Sequence, residues 1–280
     1  MITIYSKKKQ NIEKYLTNFE GLGFNKIQAL FRKKDIKVNN KRVDNNFELN
    51  INDKIEIYCK NDYFFNIKTI FEDENIIIVF KPKKLEVISQ TKNISLINLI
   101  NSNYFAVHRI DFNTEGLVVL AKNLQAKSEL DNSFKNSKIQ KTYITICKNY
   151  PPKDELTFED YLVKNDNIVK IYPNQIYSSK IVKTQIKCLK KHNGFCLLAV
   201  NLLTGRTHQI RAHLAFHNLP VLGDEKYGDF KTNKKLNLKN QILMCYKLCL
   251  NGFENCLQYL NGKTFEISYN NIEEYFDNIK

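Results

Sequence analysis

The pattern of hydrophobic and polar positions predicts a sheet-rich fold over most of this chain. Short apolar runs typical of buried strands occur at residues 76–80 and in the segments GLVVLAKN, KTYITIC and FCLLAVNL, and IVKTQIKCL alternates as a half-buried strand does. Beyond the first quarter of the chain, helical spacing occurs in a segment that begins at Leu124 and in RTHQIRAHLAFHN. Many strands with few helices favour an α+β domain built on a mixed, largely antiparallel sheet.

The first quarter of the chain has a different pattern. Residues 11–34 carry two successive helical patterns. In the stretch that follows, Ile36 and Val38 alternate before the turn-forming pair Asn39-Asn40, as in a hairpin. The change of pattern predicts a small N-terminal α/β module at residues 1–60, a linker at residues 61–70 and a large domain at residues 71–280.

Positive charge is concentrated in this module. The chain has a net charge of +14 and a pI near 9.3, and residues 1–60 hold 13 basic residues against 7 acidic ones. Such an excess favours a polyanionic partner. A solvated run of charge is the alternative that the pattern alone leaves open. The basic residues around the predicted hairpin include Arg32, Lys33, Lys37, Lys41 and Arg42.

Composition argues against several classes of protein. No apolar run reaches the roughly 18 residues that a membrane span needs, and the segment MITIYSKKKQ lacks the apolar region of a signal peptide. The seven cysteines form no C-x-x-C pair, so neither a zinc ribbon nor a disulfide framework is predicted. We therefore expect a cytoplasmic protein with reduced thiols and no membrane partner.

Arginine and histidine are distributed unevenly along the chain. Only five of the 43 basic residues are arginine. Three of them, Arg109, Arg206 and Arg211, lie in VHRIDFNTEGLVVLAKN and LLTGRTHQIRAHLAFHN, which also hold four of the five histidines. Arginine is needed where a planar, permanently charged fork contacts carboxylate or phosphate. These two segments are therefore the predicted site of chemistry.

Asp111 is the candidate carboxylate of the first segment. It follows a His-Arg-Ile run and precedes Gly116, which opens an apolar strand. Asn113, Thr114 and Gly116 favour turns, so Asp111 is predicted to lie in a loop at the edge of a strand, a common position for catalytic side chains. A carboxylate nucleophile must stay ionised in a dry site, which calls for a nearby arginine. An aspartate that caps its own loop is the alternative.

The second segment is predicted to form a helix that Thr204 or Thr207 caps. His208 and Arg211 would share a face of this helix, because they stand three residues apart. From that face, Arg211 can reach a carboxylate of the first segment.

Two further histidines of this segment have the spacing of metal ligands. His213 and His217 stand at i, i+4. No glutamate follows His213, and the nearest acid downstream is Asp224. We therefore predict no metal site and expect these histidines to pack at the edge of the helix.

One further strand carries a candidate aromatic residue. In KTYITIC, alternation places Lys141, Tyr143 and Thr145 on one face of the strand. Periodicity alone favours an ordinary core position for Tyr143.

Taken together, these motifs resemble the RluA-type family of pseudouridine synthases. The family's H-R-L-D-x-x-T-x-G loop matches residues 108–116, and its K-x-Y strand matches residues 141–143. Its T-G-R-T-H-Q-I-R-x-H segment is complete at residues 204–213, and P-V-L-G-D-x-x-Y-G matches residues 220–228. The D-x-x-I-I-V-x-K-P pattern matches residues 73–82 with one residue of slack. The likeness spans about residues 70–270, and several long motifs in the same order make it specific.

Two positions depart from the family pattern. Glu115 stands where serine is common in the family, and Phe112 stands where a charged residue is frequent. Neither departure removes a group to which the family gives a catalytic role. They bear on the choice of substrate more than on activity.

The resemblance implies isomerisation of uridine to pseudouridine within RNA, without a cofactor or a metal. Asp111 would be the nucleophile, and attack on the base, attack on C1′ and assisted elimination all stay open. Tyr143 would stack on the uracil, and Arg211 would pair with Asp111. The expected substrate is large-subunit ribosomal RNA, and a monomer that does not bind DNA is expected. The expected RNA contacts of this domain are Arg109, His108, Arg206 and His208.

The N-terminal module resembles the RNA-binding domain named after the fourth protein of the small ribosomal subunit. The likeness covers roughly residues 11–58 and is most specific in KIQALFRKKDIKVNNKRV. It implies that Arg32, Lys33, Lys37, Lys41 and Arg42 contact RNA. A non-catalytic RNA-binding or ribosome-assembly factor with the same fold is the rival interpretation.

Overall fold

The computed structural model describes residues 2–6, 8–17, 24–58, 67–89, 95–165 and 168–279. Most of the predicted linker lies outside these residues. Among the helices that the structure describes, none has the length and apolar composition needed to cross a membrane.

The N-terminal part forms a small four-stranded sheet and two short helices. The sheet order is β1-β6-β3-β4, and β2 pairs with β5 separately. Asn39 and Asn40 form the turn of the predicted hairpin, with φ of +47° and +67°, a conformation that asparagine tolerates. The elements are β1 (Ile2–Tyr5), β2 (Gln10–Asn11), α1 (Ile12–Thr17), α2 (Phe24–Arg32), β3 (Ile36–Val38), β4 (Lys41–Arg42), β5 (Glu48–Leu49) and β6 (Lys54–Ile57).

The helices of this part form because each presents an apolar stripe to the same core. Ile12 and Leu16 of α1 and Ile27 and Leu30 of α2 are buried, at helical spacing. They belong to one hydrophobic cluster with the inward residues of β3 and β6. The two predicted helices and the hairpin are therefore present, while the likeness to a ribosomal RNA-binding domain stays a prediction.

The rest of the chain forms one large sheet with helices around it. Its elements are β7 (Lys68–Glu72), β8 (Ile76–Lys81), α3 (Leu96–Ile100), β9 (Phe105–Ala106), β10 (Glu115–Ala121), α4 (Leu124–Lys135), β11 (Gln140–Lys148), β12 (Glu155–Asn165), β13 (Ile168–Tyr172), β14 (Lys180–His192), β15 (Phe195–Leu202), α5 (Gln209–Phe216), α6 (Phe230–Lys235), β16 (Leu243–Cys249), a 3-10 turn (Gln258–Leu260), β17 (Thr264–Glu266) and α7 (Asn270–Asp277).

The topology confirms the predicted α+β class. In the described residues the sheet has 11 strands in the order β13-β12-β14-β15-β11-β16-β10-β8-β7, with β9 on β10 and β17 on β16. All pairs among these described strands are antiparallel except β10 with β16. β7 begins at Lys68 and pairs with β8, so the last residues of the predicted linker at residues 61–70 lie in a strand, while the division into domains stays a prediction.

Gly116 makes the parallel pairing of β10 and β16 possible. It lies opposite Cys245 with φ of +124°, and a Cβ at this position would overlap the Cys245 backbone. Glycine alone combines this conformation with such a close approach. The contact fixes the start of β10 and therefore the end of the loop that carries Asp111.

The centre of the sheet is the core of the large domain. Every residue from Leu117 to Ala121 in β10 is fully buried, and α4 packs against this strand. A strand buried on both faces reads as an unbroken apolar run, which is why GLVVLAKN lacks alternation. This rigid strand supports the loop before it.

Candidate active site

Asp111 lies in the loop between β9 and β10. Hydrogen bonds anchor the backbone of this loop, while the Asp111 carboxylate is partly exposed in the cavity. Thr114 N donates to Asp111 O at 3.0 Å. The buried Thr114 hydroxyl in turn accepts a hydrogen bond from Gln241 Nε2 at 2.7 Å. The Asp111 side chain keeps a quarter of its surface exposed. The backbone is thus fixed, and the carboxylate stays accessible.

Arg211 joins Asp111 to a second carboxylate. Its Nη1 donates to Asp111 Oδ2 at 3.0 Å. Its Nε and Nη2 donate to Asp224 Oδ2 and Oδ1 at 2.6 and 2.8 Å, a bidentate pair. Burial opposes the charged form, but the two carboxylates raise the pKa of Arg211 above its ordinary value, so the guanidinium stays charged. The structure therefore brings the two predicted residues together through one shared cation.

Asp224 is the partner that sequence reasoning missed. It is fully buried, and its Oδ1 also accepts the backbone N–H groups of Lys226 at 2.8 Å and Tyr227 at 3.1 Å. From spacing alone, Asp224 was considered only as a possible metal ligand downstream of His213. The signal lay in its place in the P-V-L-G-D-x-x-Y-G run, since a buried aspartate needs a cation and donors to offset its desolvation.

The helix that carries Arg211 begins later than predicted. α5 starts at Gln209, because His208 has the left-handed backbone conformation with φ of +52°. The prediction that Thr204 or Thr207 caps this helix was wrong. Thr204 Oγ1 donates to Gln209 Oε1 at 2.9 Å and accepts the backbone N–H of Lys183, which ties the segment to β14.

His208 accordingly lies before the helix and not on its face. Its Nδ1 is 2.9 Å from the hydroxyl of Tyr227, which also accepts the backbone N–H of Val169 in β13. The Arg211 guanidinium lies 5.3 Å from the Tyr227 ring centroid, within reach of a cation–π contact. The Tyr227 ring therefore packs near the guanidinium, and His208 and the backbone of β13 hold the Tyr227 hydroxyl in place.

A buried cluster holds α5 against the sheet. His213 Nε2 and His217 Nε2 lie 2.9 and 2.6 Å from the same oxygen of Asp160 in β12. His213 Nδ1 lies 2.8 Å from Thr184 Oγ1 in β14, and Phe158 stacks on His217. Burial lowers the pKa of His213 despite the nearby carboxylate. The cluster fastens the helix of Arg211 to two strands.

Asp160, His213 and His217 also form a set of donors that a divalent metal can bind. Their ligand atoms lie within 4.8 Å of one another, with the acid supplied from upstream rather than downstream. However, Asp160 Oδ2 already lies at hydrogen-bond distance from both imidazoles, which is closer than metal ligands stand to one another. The arrangement is a hydrogen-bond cluster.

Tyr143 lies in the cavity wall beside Asp111. It is almost completely buried in β11, opposite Cys245 of β16. Burial, the Cys245 thiol and the Asp111 carboxylate raise the pKa of Tyr143 well above its ordinary value. The phenol therefore stays neutral, a state that suits stacking and hydrogen-bond donation.

Lys81 is a second residue that sequence reasoning missed. Its ammonium is fully buried and donates to the carbonyl oxygens of Pro82 at 2.8 Å, Leu85 at 2.7 Å and Phe112 at 3.3 Å. Burial lowers the pKa of Lys81 to about 7, although Asp111 and Glu115 oppose the shift. Because Phe112 follows Asp111 directly, Lys81 pins the loop. The K-P end of the upstream motif was the available signal.

His108 lies inside the domain. Its Nε2 accepts the backbone N–H of Val119 at 3.0 Å, and its ring stacks on Phe134 with centroids 4.6 Å apart. Burial and the nearby Lys141 charge lower its pKa well below the ordinary value, so the imidazole is neutral. The expected contact of His108 with RNA stays a prediction, and any such contact would be made by the neutral imidazole.

The remaining predicted residues divide between two places. A cavity of about 1070 Å³ is lined by Asp111, Tyr143 and Arg211 and, on its exposed wall, by Arg109 and Arg206. The module residues do not line this cavity. Of these, Arg32, Lys33, Lys41 and Arg42 are exposed, or nearly so, and Lys37 is half-buried with its ammonium 4.9 Å from the Tyr58 ring centroid.

Comparison with known proteins identifies the family. Residues 75–216 match the family described as RNA pseudouridylate synthase. An uncharacterized RNA pseudouridine synthase of Mycoplasma capricolum subsp. capricolum is 33% identical over 93% of this chain and 95% of its own length. A ribosomal large subunit pseudouridine synthase C of Buchnera aphidicola subsp. Baizongia pistaciae is 29% identical over 85% of this chain and 84% of its own.

Two solved structures share the fold. Human RNA pseudouridylate synthase domain containing 4 superposes with a TM-score of 0.59 at 20% identity and covers 71% of this chain and 87% of its own. Human RNA pseudouridylate synthase domain containing 1 superposes with a TM-score of 0.58 at 18% identity. This match covers 76% of this chain and 96% of the human chain. The likeness supports the large-sheet architecture.

Proposed function

Because the chain belongs to the RluA-type family of RNA pseudouridylate synthases and is an isomerase of uridine in RNA, we propose that Asp111 is the nucleophile of the reaction. The observation that carries the proposal is the contact from Arg211 Nη1 to Asp111 Oδ2. The other oxygen, Oδ1, has no hydrogen-bond partner among the described residues. One oxygen is thus oriented by a permanent cation, and the other is free to attack.

The reaction is balanced without any group from outside the substrate. The C1′–N1 bond of uridine breaks, the C1′–C5 bond forms, and a proton leaves C5 while N1 gains one. A carboxylate that attacks and is later expelled returns unchanged. The permanent cation of Arg211, 3.0 Å from Asp111 Oδ2, holds the carboxylate in position for attack and stabilises its negative charge again when it is expelled.

The neighbouring residues have roles that follow from their positions. Tyr143, neutral and next to Asp111, provides an aromatic face for the uracil as it turns. The target nucleotide must leave its stack to reach a carboxylate inside a cavity. Arg109 and Arg206, exposed on the wall of that cavity, then hold the displaced nucleotide and its phosphates.

Large-subunit ribosomal RNA is the proposed substrate. Relatives that cover more than four fifths of this chain carry the name ribosomal large subunit pseudouridine synthase C. The basic N-terminal module, with its cations clustered around the hairpin, supports a large structured RNA over a short one. In this proposal the module grips phosphates and the cavity carries out the chemistry.

Replacement of Asp111 by asparagine should abolish product formation. Asparagine keeps the shape of the side chain but cannot act as an anionic nucleophile, so we expect turnover to fall by about three orders of magnitude or more. Pseudouridine is measured by nucleoside chromatography of digested RNA, and RNA affinity should change by less than about threefold.

The matched control for this change is Asp154→Asn. Asp154 is exposed and pairs with Lys191 at 2.7 Å, outside the cavity lining. It should leave turnover unchanged. Undiminished product from Asp111→Asn would rule out the assigned nucleophile.

The substrate is tested by mapping pseudouridine in total RNA from cells with and without this gene. We expect at least one position in large-subunit ribosomal RNA to lose its modification and to regain it when the gene is restored, but not when the Asp111→Asn form is supplied. Loss confined to transfer RNA would contradict the ribosomal assignment.

The module is tested with a triple variant, Arg32→Gln, Lys41→Gln and Arg42→Gln. Each lost phosphate contact should reduce the slope of log affinity against log salt by about one, and Kd at low salt should rise. Turnover on a short saturating substrate should not change. The control is Lys231→Gln, Lys234→Gln and Lys235→Gln, three exposed cations in α6. Equal RNA affinities for the two triple variants would show that the charges of the module are only solvated and do not bind RNA.

A further inference from the structure

We propose that Lys141 forms an anion subsite in the cavity wall that binds one backbone phosphate of the RNA substrate. The inference rests on the proposed function, because it requires RNA in the cavity that holds Asp111. It adds a binding residue that neither charge clustering nor the catalytic contacts identify.

The first observation is a contrast between two lysines with desolvated amines. Both Lys81 and Lys141 have pKa values lowered by burial. The Lys81 ammonium has three carbonyl acceptors and is fully enclosed. Lys141 has no oxygen acceptor among the described residues and is half-buried in the wall of the cavity. Lys81 therefore has its partners inside the fold, whereas the described part of the fold provides Lys141 with none.

The Lys141 ammonium has an aromatic neighbour. Its Nζ lies 5.3 Å from the centroid of Phe134 in α4. A cation–π contact of this kind offsets part of the desolvation of an ammonium group, but it is weaker than the penalty that burial imposes. A cation retained at this cost points to a ligand that supplies the missing charge.

A second unsatisfied donor lies beside it. His108 Nε2 accepts a backbone hydrogen bond, so in the neutral imidazole Nδ1 carries the proton. His108 Nδ1 is buried and has no acceptor in the described residues. His108 stacks on the same Phe134 ring and is close enough for the Lys141 charge to lower its pKa. A charged donor and a neutral one therefore stand together without acceptors.

The approach to the ammonium is open. Gly205 lies next to the amine in the cavity lining, and a Cβ at this position would stand in van der Waals contact, 3.8 Å from Lys141 Nζ. Glycine at this point leaves the loop before Arg206 without a side chain that would cover the amine. Lys141 and Tyr143 both line the cavity and stand two residues apart on β11, about 7 Å along the strand, so a base stacked on Tyr143 would bring its backbone within reach of Lys141.

The position favours a phosphate over the reacting base. Lys141 and Asp111 line the same cavity, but no ion pair joins them within the described residues, and the Asp111 carboxylate is paired with Arg211 instead. A phosphate of the target nucleotide or of its neighbour is therefore the substrate anion that Lys141 is placed to bind.

The test compares Lys141→Met with Lys141→Arg in the full chain. Lys141→Met should raise the Kd for a substrate RNA about tenfold and reduce its salt slope by roughly 0.7 to 0.9, the loss of one phosphate contact. The effect should appear in KM, with kcat changed less than about threefold. Lys141→Arg should restore most of the affinity. Lys234→Met, an exposed lysine outside the cavity lining, should change none of these values.

Stability distinguishes binding from a structural role. Removing an unpartnered, half-buried ammonium should leave the melting temperature of Lys141→Met unchanged or higher. Weaker RNA binding together with a lower melting temperature would instead indicate that Lys141 supports the fold, and this result would overturn the proposal.

The phosphate itself is identified by neutral methylphosphonate substitutions, placed one at a time around the target uridine. At one position, the affinity of the protein that retains Lys141 should fall about tenfold, and the affinity of the protein that also carries Lys141→Met should not change. Absence of any such position would overturn the proposal. These binding measurements use the Asp111→Asn protein, which is expected to bind RNA without converting it. A failure of the proposed nucleophile would appear only in the analysis of product, and a failure of the Lys141 subsite would appear only in binding.

Discussion

The ion chain Asp224–Arg211–Asp111 is the interaction on which the rest of the large domain depends. Burial costs a guanidinium and a carboxylate roughly several kcal/mol of hydration free energy each. Only a complete set of short hydrogen bonds offsets that cost. Asp224 meets the condition with two bonds to Arg211 and two from backbone N–H groups. The remaining Nη1 of Arg211 then faces Asp111 as a donor whose position and charge are fixed. Preorganised charge of this kind is the usual source of reactivity in an enzyme site.

Several other features serve to keep that chain in place. Gly116 lets β10 approach Cys245 of β16, and Lys81 binds the carbonyl oxygen of Phe112, so the Asp111 loop is fixed directly after Asp111 and at its end. On the opposite side, the Asp160 cluster anchors α5 to β12 and β14. The two segments meet although they lie about a hundred positions apart in sequence. Strand pairing in the large sheet brings them together, and the polar contacts refine their alignment.

Much of this arrangement was predictable from the sequence, and the failures have physical causes. Strands such as β8, β10, β11 and β15 stood out because they are buried on both faces, and the ordered motifs indicated that Asp111 and Arg211 meet. The start of α5 was predicted too early because a left-handed His208 has no local signature. Asp160 and Asp224 were not assigned to their partners, because their distances along the chain carry no information on contacts across a sheet. Nothing in the sequence distinguishes Lys141 from Lys81. The structure distinguishes them, because the Lys81 ammonium is enclosed with three carbonyl acceptors, whereas Lys141 lines the cavity without an oxygen acceptor in the described residues.

The central claim is that Asp224, Arg211 and Asp111 act as one unit, and a double-mutant cycle on turnover tests it most directly. The cycle measures kcat for Arg211→Lys, Asp224→Asn and the double variant with a saturating RNA substrate. Lysine cannot keep the bidentate pair, and asparagine cannot keep the charge, so each single change should lower kcat by about a hundredfold or more. If the residues act together, the double variant should be no slower than the slower single variant. Losses that multiply in the double variant would show that Asp224 and Arg211 act independently and would contradict the account.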